Sequence, residues 1–230
     1  MQVYLSQVSK KTYHTPEVVE LQLTLKKPSS VKFRAGQFVF FNIGGAYKAY
    51  SMISSPTDRK NLRFLIKLEK NGRAAKFVEN LKVEDEMEFT GPEGYFFVRE
   101  KNKNILCLAG GIGVAPFVSI IPNLLEKKYP GEITLIFGAK TEKNLYHKNF
   151  FQALSVTYPN FYFIPLVNDS VTDQNHKYPK AAGYLKENFQ KYQSFIFYVC
   201  GSKEFVSDIE EILKSQGVDE DNIRLETFLN

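Results

Sequence analysis

Hydrophobic and polar residues alternate along most of the first hundred positions of the chain. In the segment EVVELQLTL (17–25), four aliphatic side chains share one face of an extended chain, and Glu20, Gln22 and Thr24 share the other. This alternation is typical of an antiparallel strand with one buried face. The same pattern predicts five more strands, at 3–8, 36–43, 49–54, 62–70 and 86–91. Six short strands and one helix at 74–81 predict a six-stranded antiparallel Greek-key β-barrel.

The pattern changes after the charged segment VREKNKN (98–104). Continuous apolar runs predict strands at 105–109, 133–139, 161–167, 195–201 and 223–228. Between them, helices are predicted near 115–128, 148–157, 183–191 and 203–216. Apolar strands that alternate with helices indicate a parallel sheet buried on both faces. We therefore expect two domains: a β-barrel at 1–100 and an α/β domain with a five-stranded parallel sheet at 101–230.

The segment ILCLAGGIGVAPFVSIIPNLL (105–125) has no charged residue and is long enough to cross a bilayer as a helix. Three glycines near its centre and two prolines argue against a continuous helix. A strand, a glycine turn and a helix with Pro116 in its first turn explain the segment better. Pro122 is then expected to kink or end that helix early. We expect no membrane insertion.

Composition and charge narrow the class of protein. The chain is 43% hydrophobic and 24% charged, as in ordinary soluble domains. Residues 1–100 carry 16 Lys and Arg against 11 Asp and Glu, whereas the remainder carries 14 of each. The excess positive charge of the first half fits either a merely soluble surface or the steering of an anionic ligand or acidic partner. No nucleic-acid partner is expected.

Cysteine and histidine usage excludes two further classes. Cys107 and Cys200 each lie inside an apolar run, so a disulfide framework is not expected. The first residues lack the pattern of a signal peptide, which favours a cytoplasmic location. His14, His147 and His176 show no metal-binding spacing, and no metal site is predicted.

The carboxyl ends of the predicted parallel strands are where such a sheet binds its ligands. Those ends carry Gly110–Gly113, Gly138–Lys140, Asn168–Asp169, Cys200–Ser202 and Glu226–Phe228. The glycines let the backbone approach a ligand and present amides at a helix N-terminus, which favours a pyrophosphate. The GGIG stretch matches neither the G-x-G-x-x-G fingerprint nor a P-loop, and alone it equally fits a tight turn.

The barrel half contains a second candidate anion site. In KAYSMISS (48–55), Lys48 and Tyr50 are predicted on one face of a strand, with Ala49 and Ser51 on the other. The segment NGRAA (71–75) opens the predicted helix with free amides beside Arg73. Two anion sites in two domains predict two phosphorylated ligands.

Six motifs, in order and spacing, resemble those of the ferredoxin reductase superfamily: FRAGQF, KAYSMISSP, GPEGYF, LAGGIGVAPF, YVCGS and the terminal ETF. The resemblance covers nearly the whole chain and implies a flavin-binding barrel followed by a pyridine-nucleotide domain. It implies an NAD(P)H-dependent flavin oxidoreductase, in which hydride passes from NADH or NADPH to a bound flavin, FAD rather than FMN. Electrons then leave to an acceptor.

The resemblance also implies roles for barrel residues. Tyr50 is expected to lie against the isoalloxazine, and the Ser51 hydroxyl near the ring nitrogen that accepts hydride. Lys48 stands where relatives usually have arginine, and Ala75 where they usually have serine, so the hold on the flavin phosphates is expected to be weaker. The expected flavin-binding residues are Lys48, Ala49, Tyr50, Ser51, Ile66, Lys67, Leu68, Gly72, Arg73, Ala74 and Ala75.

In the second half, Cys200 and Gly201 resemble the pair beside the reacting nicotinamide carbon, and Ser202 replaces the usual proline. Glu226 and Phe228 resemble the carboxyl-terminal acid and the ring-stacking aromatic. Ser51, Cys200 and Glu226 are the expected catalytic residues, the Cys200 thiol packing and orienting rather than attacking. The expected nucleotide-binding residues are Gly110, Gly111, Gly113, Val114, Lys140, Asp169, Cys200, Gly201 and Phe228.

Coenzyme, acceptor and function class leave alternatives open. Asp169 would repel a 2′-phosphate and favours NADH, whereas Lys140 and Lys143 could form a phosphate pocket. Two cysteines cannot hold a plant-type iron-sulfur centre, so electrons are expected to go to a separate acceptor, an acidic ferredoxin or flavodoxin or a small molecule. The alternatives are a free-flavin reductase, with flavin as substrate, and an electron-transfer subunit of a larger redox complex.

Overall fold

The computed structural model describes residues 1–70, 72–168 and 179–228. The chain divides into two compact units. The first comprises Met1–Val98 and Ala115–Asn123, and the second Arg99–Val114 and Leu124–Asn230. The sequence prediction instead groups residues 115–123 with the second half.

The first unit contains the six predicted strands and the predicted helix. Its elements are β1 (Gln2–Thr15), β2 (Val18–Lys27), β3 (Phe38–Ile43), β4 (Ala46–Ser51), β5 (Asn61–Lys67), α1 (Arg73–Asn80) and β6 (Glu86–Glu93). The strands pair antiparallel in the order β4-β3-β6-β1-β2-β5. An isolated bridge between Met52 and Phe64 joins the chain after β4 to β5, so the two edges of the curled sheet meet there. The predicted six-stranded antiparallel fold is confirmed.

Alternating side chains build the core of this unit. Leu21, Leu23 and their neighbours on the same face of β2 are buried, while the polar face stays partly exposed. Burying one such aliphatic side chain contributes about 1.5–3 kcal/mol. The ring of Phe41 lies at the centre, 4.9 Å from the ring of Phe64 and 6.3 Å from that of Phe89. These contacts hold β3, β5 and β6 together.

Strand β1 extends well beyond the predicted 3–8. The prediction stops at residue 8 because a β-bulge there reverses the two faces of the strand and so interrupts the alternating pattern. Val8 is opposite Leu23, but two residues further along Lys10 is opposite Gln22, with a register shift between. Before the bulge the even positions of β1 face the core. After the bulge Lys11 is opposite the buried Leu21, so an odd position takes the inward face.

The second unit is a parallel sheet with helices. Its strands are β7 (Ile105–Gly110), β8 (Ile133–Ala139), β9 (Phe161–Val167), β10 (Ile196–Ser202) and β11 (Ile223–Phe228). They pair in parallel in the order β11-β10-β7-β8-β9, which confirms the predicted five-stranded sheet. Helices α3 (Lys148–Thr157), α4 (Pro179–Tyr192) and α5 (Lys203–Ser215) belong to this unit, whereas residues 115–123 of α2 (Ala115–Glu126) belong to the first unit. Strands β7 and β8 are buried along their whole length.

The predicted helix bounds agree to within two residues except at the start of α4. Helix α2 runs past Pro122 to Glu126, so of the two expected effects of this proline, a kink or an early end, the early end is wrong. Buried residues on both sides of the proline, Ile121 and Leu125, stabilise the helix by packing, which offsets the one lost hydrogen bond. Helix α4 begins at Pro179, four residues earlier than predicted, because a proline fits the first position of a helix.

Within the second unit, a part-buried set of hydrogen bonds connects its first residues to the sheet. The Tyr198 hydroxyl donates to Oε2 of Glu100 at 2.7 Å, and Nη2 of Arg224 lies 3.2 Å from Oε1 of the same carboxylate. Burial and the nearby Glu100 carboxylate both raise the pKa of Tyr198. Glu100 thus connects the segment before β7 to both β10 and β11.

Among the described residues, no helix is long and apolar enough to cross a membrane. The uncharged segment 105–125 instead forms β7, a 3-10 turn at Gly111–Val114 and most of α2. Cys107 and Cys200 are both free and fully buried in strands, as their apolar surroundings predicted.

Candidate functional site

The barrel motifs FRAGQF and GPEGYF pack directly against each other. Gly36 of FRAGQF has a φ of +98°, and a Cβ atom there would lie 1.9 Å from the carbonyl oxygen of Phe96 in GPEGYF. Gly94 leaves space for the ring of Phe38 in the same way, because a Cβ atom on Gly94 would lie 2.7 Å from that ring. The side chain of Gln37 donates from Nε2 to the Gly94 carbonyl at 3.3 Å. Gly36, Gln37 and Gly94 therefore fix how the segment before β3 packs against the segment after β6.

Strand β4 carries the candidate flavin residues on its two faces. Lys48 and Tyr50 are half-buried, opposite Phe41 and Val39 of β3, whereas Ala49 is exposed. The Tyr50 ring packs against the ring of Phe41, with centroids 5.0 Å apart. Burial, and then the charge of Glu69, raise the pKa of Tyr50 to about 12, so its phenol stays neutral near pH 7.

Ser51 ends β4 in a buried position, and its side chain is 3% exposed. It pairs with Phe38 of β3, whereas the residue that follows it, Met52, enters the bridge to Phe64. Further along, Ser119 donates from its buried hydroxyl to the carbonyl oxygen of Ser54 at 2.7 Å. The segment 51–54 is therefore held on both sides by buried contacts within the first unit.

The N-terminus of α1 offers backbone amides without a competing side chain. Gly72 occupies the N-cap in an extended conformation and makes no side-chain cap hydrogen bond. The first turn has no acidic residue, Arg73 is exposed, and Ala74 and Ala75 are buried. An anion is favoured at such a helix end by the free amides and by the helix dipole. These residues fit a flavin phosphate; Asn71 lies outside the described residues.

The remaining barrel candidates lie where β5 ends. Ile66 and Leu68 are buried, and Lys67 between them is exposed. The amide of Leu68 donates to the carbonyl of Glu17 at 2.7 Å, which extends the pairing with β2 by one residue. Lys67 lies 4.0 Å from the carboxylate of Glu69, a solvent-screened pair at the limit of an ion pair.

In the second unit, each glycine of the candidate nucleotide turn has its own structural reason. Gly110 ends β7, and a Cβ atom there would lie 2.7 Å from the ring of Phe205. Gly111 has a φ of +55° and begins the 3-10 turn that ends at Val114. A Cβ atom on Gly113 would lie 2.1 Å from the carbonyl oxygen of Cys200. The turn can therefore lie this close to the end of β10 only with glycine at these positions.

Gly201 accommodates the same aromatic ring as Gly110. A Cβ atom on Gly201 would lie 2.5 Å from the Phe205 ring, which is buried at the start of α5. Ser202 stands where relatives usually have proline, and its hydroxyl accepts a hydrogen bond from the Phe205 amide at 3.4 Å as the N-cap of α5. Phe205 was not among the predicted site residues, and only its position in the first helical turn after the YVCGS motif could have indicated its role.

The candidate catalytic residues Cys200 and Glu226 are neighbours across two strands. They are paired in the parallel register of β10 and β11, which directs their side chains to the same face. Burial, and then the Glu226 carboxylate, raise the pKa of the Cys200 thiol well above its ordinary value. The neutral, fully buried thiol can pack against a ligand but is a poor nucleophile. In the same register, half-buried Phe228 lies beside Ser202.

The candidates for coenzyme choice follow β8 and β9. Lys140 is exposed directly after β8, and Lys143 is exposed in the next turn. The amide of Asn168, directly after β9, donates to the carbonyl of Ala139 at 3.1 Å, so the two strand ends lie side by side. Asp169, the residue predicted to favour NADH, lies outside the described residues.

Comparison with known proteins assigns a family model to each half. Residues 6–98 match the oxidoreductase FAD-binding domain, and residues 107–211 match the oxidoreductase NAD-binding domain. Reductase component 1 of terephthalate 1,2-dioxygenase from Comamonas sp. is 26% identical over 98% of this chain and 68% of its own length. The phenol hydroxylase P5 protein of Acinetobacter pittii is 30% identical over 94% of this chain and 63% of its own length.

Solved structures show the same fold. A ferredoxin NADP+ reductase from Neisseria gonorrhoeae, solved with bound FAD and NADP, superimposes with a TM-score of 0.83 at 21% identity. The match covers the whole of both chains. By contrast, this chain spans only about two thirds of the length of the two curated relatives.

Proposed function

Because this chain belongs to the ferredoxin reductase-like superfamily of FAD- and NAD(P)-binding proteins, we propose that it delivers electrons to a separate acidic protein such as a ferredoxin or flavodoxin. In coarser terms it is an NAD(P)H-dependent flavin oxidoreductase. When bound, FAD accepts hydride from NAD(P)H and passes electrons on singly or in pairs. The single observation that carries the activity is the match of one half to an FAD-binding domain and the other to an NAD-binding domain.

On the flavin side, the proposal gives each residue a positioning role. Lys48 and Arg73 supply positive charge for the flavin phosphates, and the amides of Arg73 to Ala75 supply hydrogen-bond donors, since the Gly72 amide already donates to the carbonyl of Glu69. Tyr50, backed by Phe41, supplies an aromatic surface for the isoalloxazine. Ser51 supplies a hydroxyl close to the ring nitrogen that receives hydride. Ala49, Ile66, Lys67 and Leu68 complete the wall of the site.

On the nucleotide side, backbone does most of the binding. The amides of Gly111 to Val114 receive the dinucleotide phosphates, and Gly110 and Gly113 keep the turn against β10. Cys200 and Gly201 would support the nicotinamide ring, and Phe228 offers an aromatic ring at the end of β11. Burial, and then the Glu226 carboxylate, raise the pKa of the Cys200 thiol and keep it neutral. Hydride transfer then depends on position rather than on covalent chemistry by the protein.

Absorption spectroscopy tests this activity directly. The purified protein should be yellow with one FAD per chain, and NADH should bleach the flavin band anaerobically. Cofactor extraction distinguishes FAD from FMN. Protein that binds neither flavin nor NAD(P)H would overturn the assignment.

The acidic partner is supported by the charge of the first hundred residues, where Lys and Arg outnumber Asp and Glu by 16 to 11. The name of the Comamonas relative, a reductase component, also describes a protein that works with another. Attraction between opposite charges is screened by salt. Turnover with an acidic ferredoxin should therefore fall steeply between low and high ionic strength, while turnover with a neutral dye stays level. A flat response with ferredoxin would remove the basis of this proposal.

For the coenzyme, we propose a modest preference for NADH. Asp169 would repel a 2′-phosphate and accept a hydrogen bond from the ribose, whereas exposed Lys140 favours NADPH. The ratio of kcat/KM for NADH and NADPH measures the balance. Lys140→Ala should lower kcat/KM for NADPH more than for NADH, and a strong preference of the unaltered protein for NADPH would contradict the proposal.

A second candidate is a free-flavin reductase, in which flavin is a substrate. It is favoured by Lys48 and Ala75, which replace the bidentate arginine and the hydroxyl that relatives usually offer to the flavin phosphates. Colourless protein whose NADH oxidation saturates with added flavin would support it. If the isolated protein fails to oxidise NADH with every dye and flavin offered, a non-catalytic subunit of a larger redox complex becomes the better explanation.

A further inference from the structure

The C-terminus of α1 is capped by a lysine from a distant strand. Nζ of Lys11 donates to the carbonyl oxygens of Leu81 at 2.7 Å and Val78 at 3.0 Å, and lies 3.5 Å from that of Glu79. The last carbonyls of a helix lack partners inside the helix and carry the negative end of its dipole. One ammonium group therefore satisfies several of these carbonyls together.

The helix itself supplies no cation at this end, since its last turn contains no basic residue. The amide of its C-cap, Leu81, donates to the backbone carbonyls of Phe77 and Val78. With eight residues, α1 is well below the length at which a helix is stable alone in water, about 12–15 residues. Its geometry consequently depends on the contacts it makes with the barrel, namely buried Ala74, Ala75 and Val78 and the Lys11 cap.

The β-bulge in β1 explains how a lysine comes to face this helix. Without the register shift after Val8, position 11 would lie on the outer face of the sheet. With it, Lys11 shares the inward face with Leu21, and Lys10 takes the outward face opposite Gln22. The aliphatic part of Lys11 is half-buried, and its ammonium lies 5.9 Å from the ring of Tyr13.

We propose that Lys11 is a positioning residue for the flavin phosphates: by holding the C-terminus of α1, it fixes the amides of Arg73 to Ala75 at the other end. The proposal rests on the proposed function, which assigns the phosphates to that N-terminus. The two ends of α1 are about 12 Å apart, so Lys11 acts through the helix and does not touch the ligand. A cation at the C-terminus also balances the dipole that attracts the phosphates.

Three flavins distinguish this role from general destabilisation. Riboflavin has the isoalloxazine but no phosphate, whereas FMN and FAD have one and two. We expect Lys11→Met to weaken FAD binding about 5-fold, the size of a helix-dipole effect, and to leave riboflavin affinity within about 2-fold of the unaltered protein. Lys11→Arg keeps the charge and should restore most of the FAD affinity. Lys10→Met, on the opposite face of the same strand, is the matched control and should change neither.

The measurements are dissociation constants from flavin fluorescence and hydrogen exchange of the α1 amides. Faster exchange at the end of α1 in Lys11→Met, together with a selective loss of FAD affinity, supports the proposal. Equal losses for FAD and riboflavin, or an unchanged FAD affinity while the unaltered protein prefers FAD to riboflavin, would overturn it and leave the proposed function intact. If the unaltered protein shows no preference for FAD over riboflavin, the phosphate site at α1 fails, and the role of Lys11 fails with it.

Discussion

Gly113 lies against the end of β10 so closely that a methyl group on it would be 2.1 Å from the carbonyl oxygen of Cys200 and 2.6 Å from Cα of Gly201. Both neighbouring atoms belong to backbone, so neither can rotate away. The glycine turn after β7 and the last residues of β10 are thus fixed to each other. In the second unit, this contact brings the candidate phosphate-binding amides next to the candidate nicotinamide support.

Substitution of Gly113 by alanine should therefore damage both folding and activity. We expect Gly113→Ala to lower the free energy of unfolding by about 2 kcal/mol, as overpacking does, and to raise the KM for NAD(P)H. Urea unfolding and steady-state kinetics measure the two effects. Gly183→Ala is the control, since nothing lies within 4 Å of its Cβ position and alanine favours a helix by about 0.5–1 kcal/mol. Equal behaviour of the two variants would contradict the close contact.

The contacts of the Glu100 carboxylate with Tyr198 and Arg224 predict how the stability of the fold changes as the pH falls. Burial would raise the pKa of Glu100, but the hydrogen bond from Tyr198 and the nearby Arg224 outweigh burial and lower it. The resulting stabilisation is present above the unfolded pKa of the carboxyl group and is lost as the pH falls through the lower folded value. Tyr198→Phe should raise the folded pKa towards the unfolded value, so it should lower Tm at pH 7 and make Tm fall less as the pH drops. A Tm series from pH 7 to pH 3, with Tyr162→Phe as control, tests this, and superimposable curves would refute it.

Cys200 should behave as a packing residue. Its thiol is buried and its pKa is raised, so thiol reagents should not react with the native protein at pH 8 and should react with two thiols after denaturation. Cys200→Ala should reduce the rate of flavin reduction moderately, with the same pH profile between pH 6 and 9. Cys107→Ala is the matched control, because that thiol is equally buried in β7. Complete loss of activity in Cys200→Ala alone would indicate direct chemistry by the thiol.

Tyr50 should act through its ring rather than its hydroxyl. Burial, and then Glu69, raise the pKa of its phenol to about 12, so Tyr50→Phe should bind flavin as the unaltered protein does and keep its pH profile below pH 9. Tyr50→Leu removes an aromatic contact of about 0.5–1.5 kcal/mol and should weaken flavin binding about 2- to 12-fold. Flavin titrations compare the variants. A large loss in Tyr50→Phe would mean that the hydroxyl takes part.

Hydrophobic periodicity predicted nearly all the secondary structure because most elements bury one regular face. It failed where the period itself changes. The bulge after Val8 reverses the alternation in β1, so the second half of that strand showed no readable pattern. At Pro122 a local rule about proline was outweighed by tertiary packing, which a sequence does not display.

The residues of the candidate site likewise divide into those that the sequence could reveal and those that it could not. Residues within motifs, such as Gly113 and Cys200, could be selected because contiguous sequence carries the resemblance. Lys11 could not, since its partners Val78 and Leu81 lie about seventy residues away and are contacted through backbone carbonyls that any residue provides. Phe205 likewise owes its position to two glycines on different strands.

The Phe205 ring packs against the ends of both β7 and β10, since the two glycines it requires, Gly110 and Gly201, belong to different strands. Lys140, by contrast, is exposed after a third strand, β8. Under the proposal that Lys140 contributes to coenzyme choice, that surface position can be altered while the packing around Phe205 is left unchanged, which makes the second unit a suitable scaffold for directed evolution between NADH and NADPH.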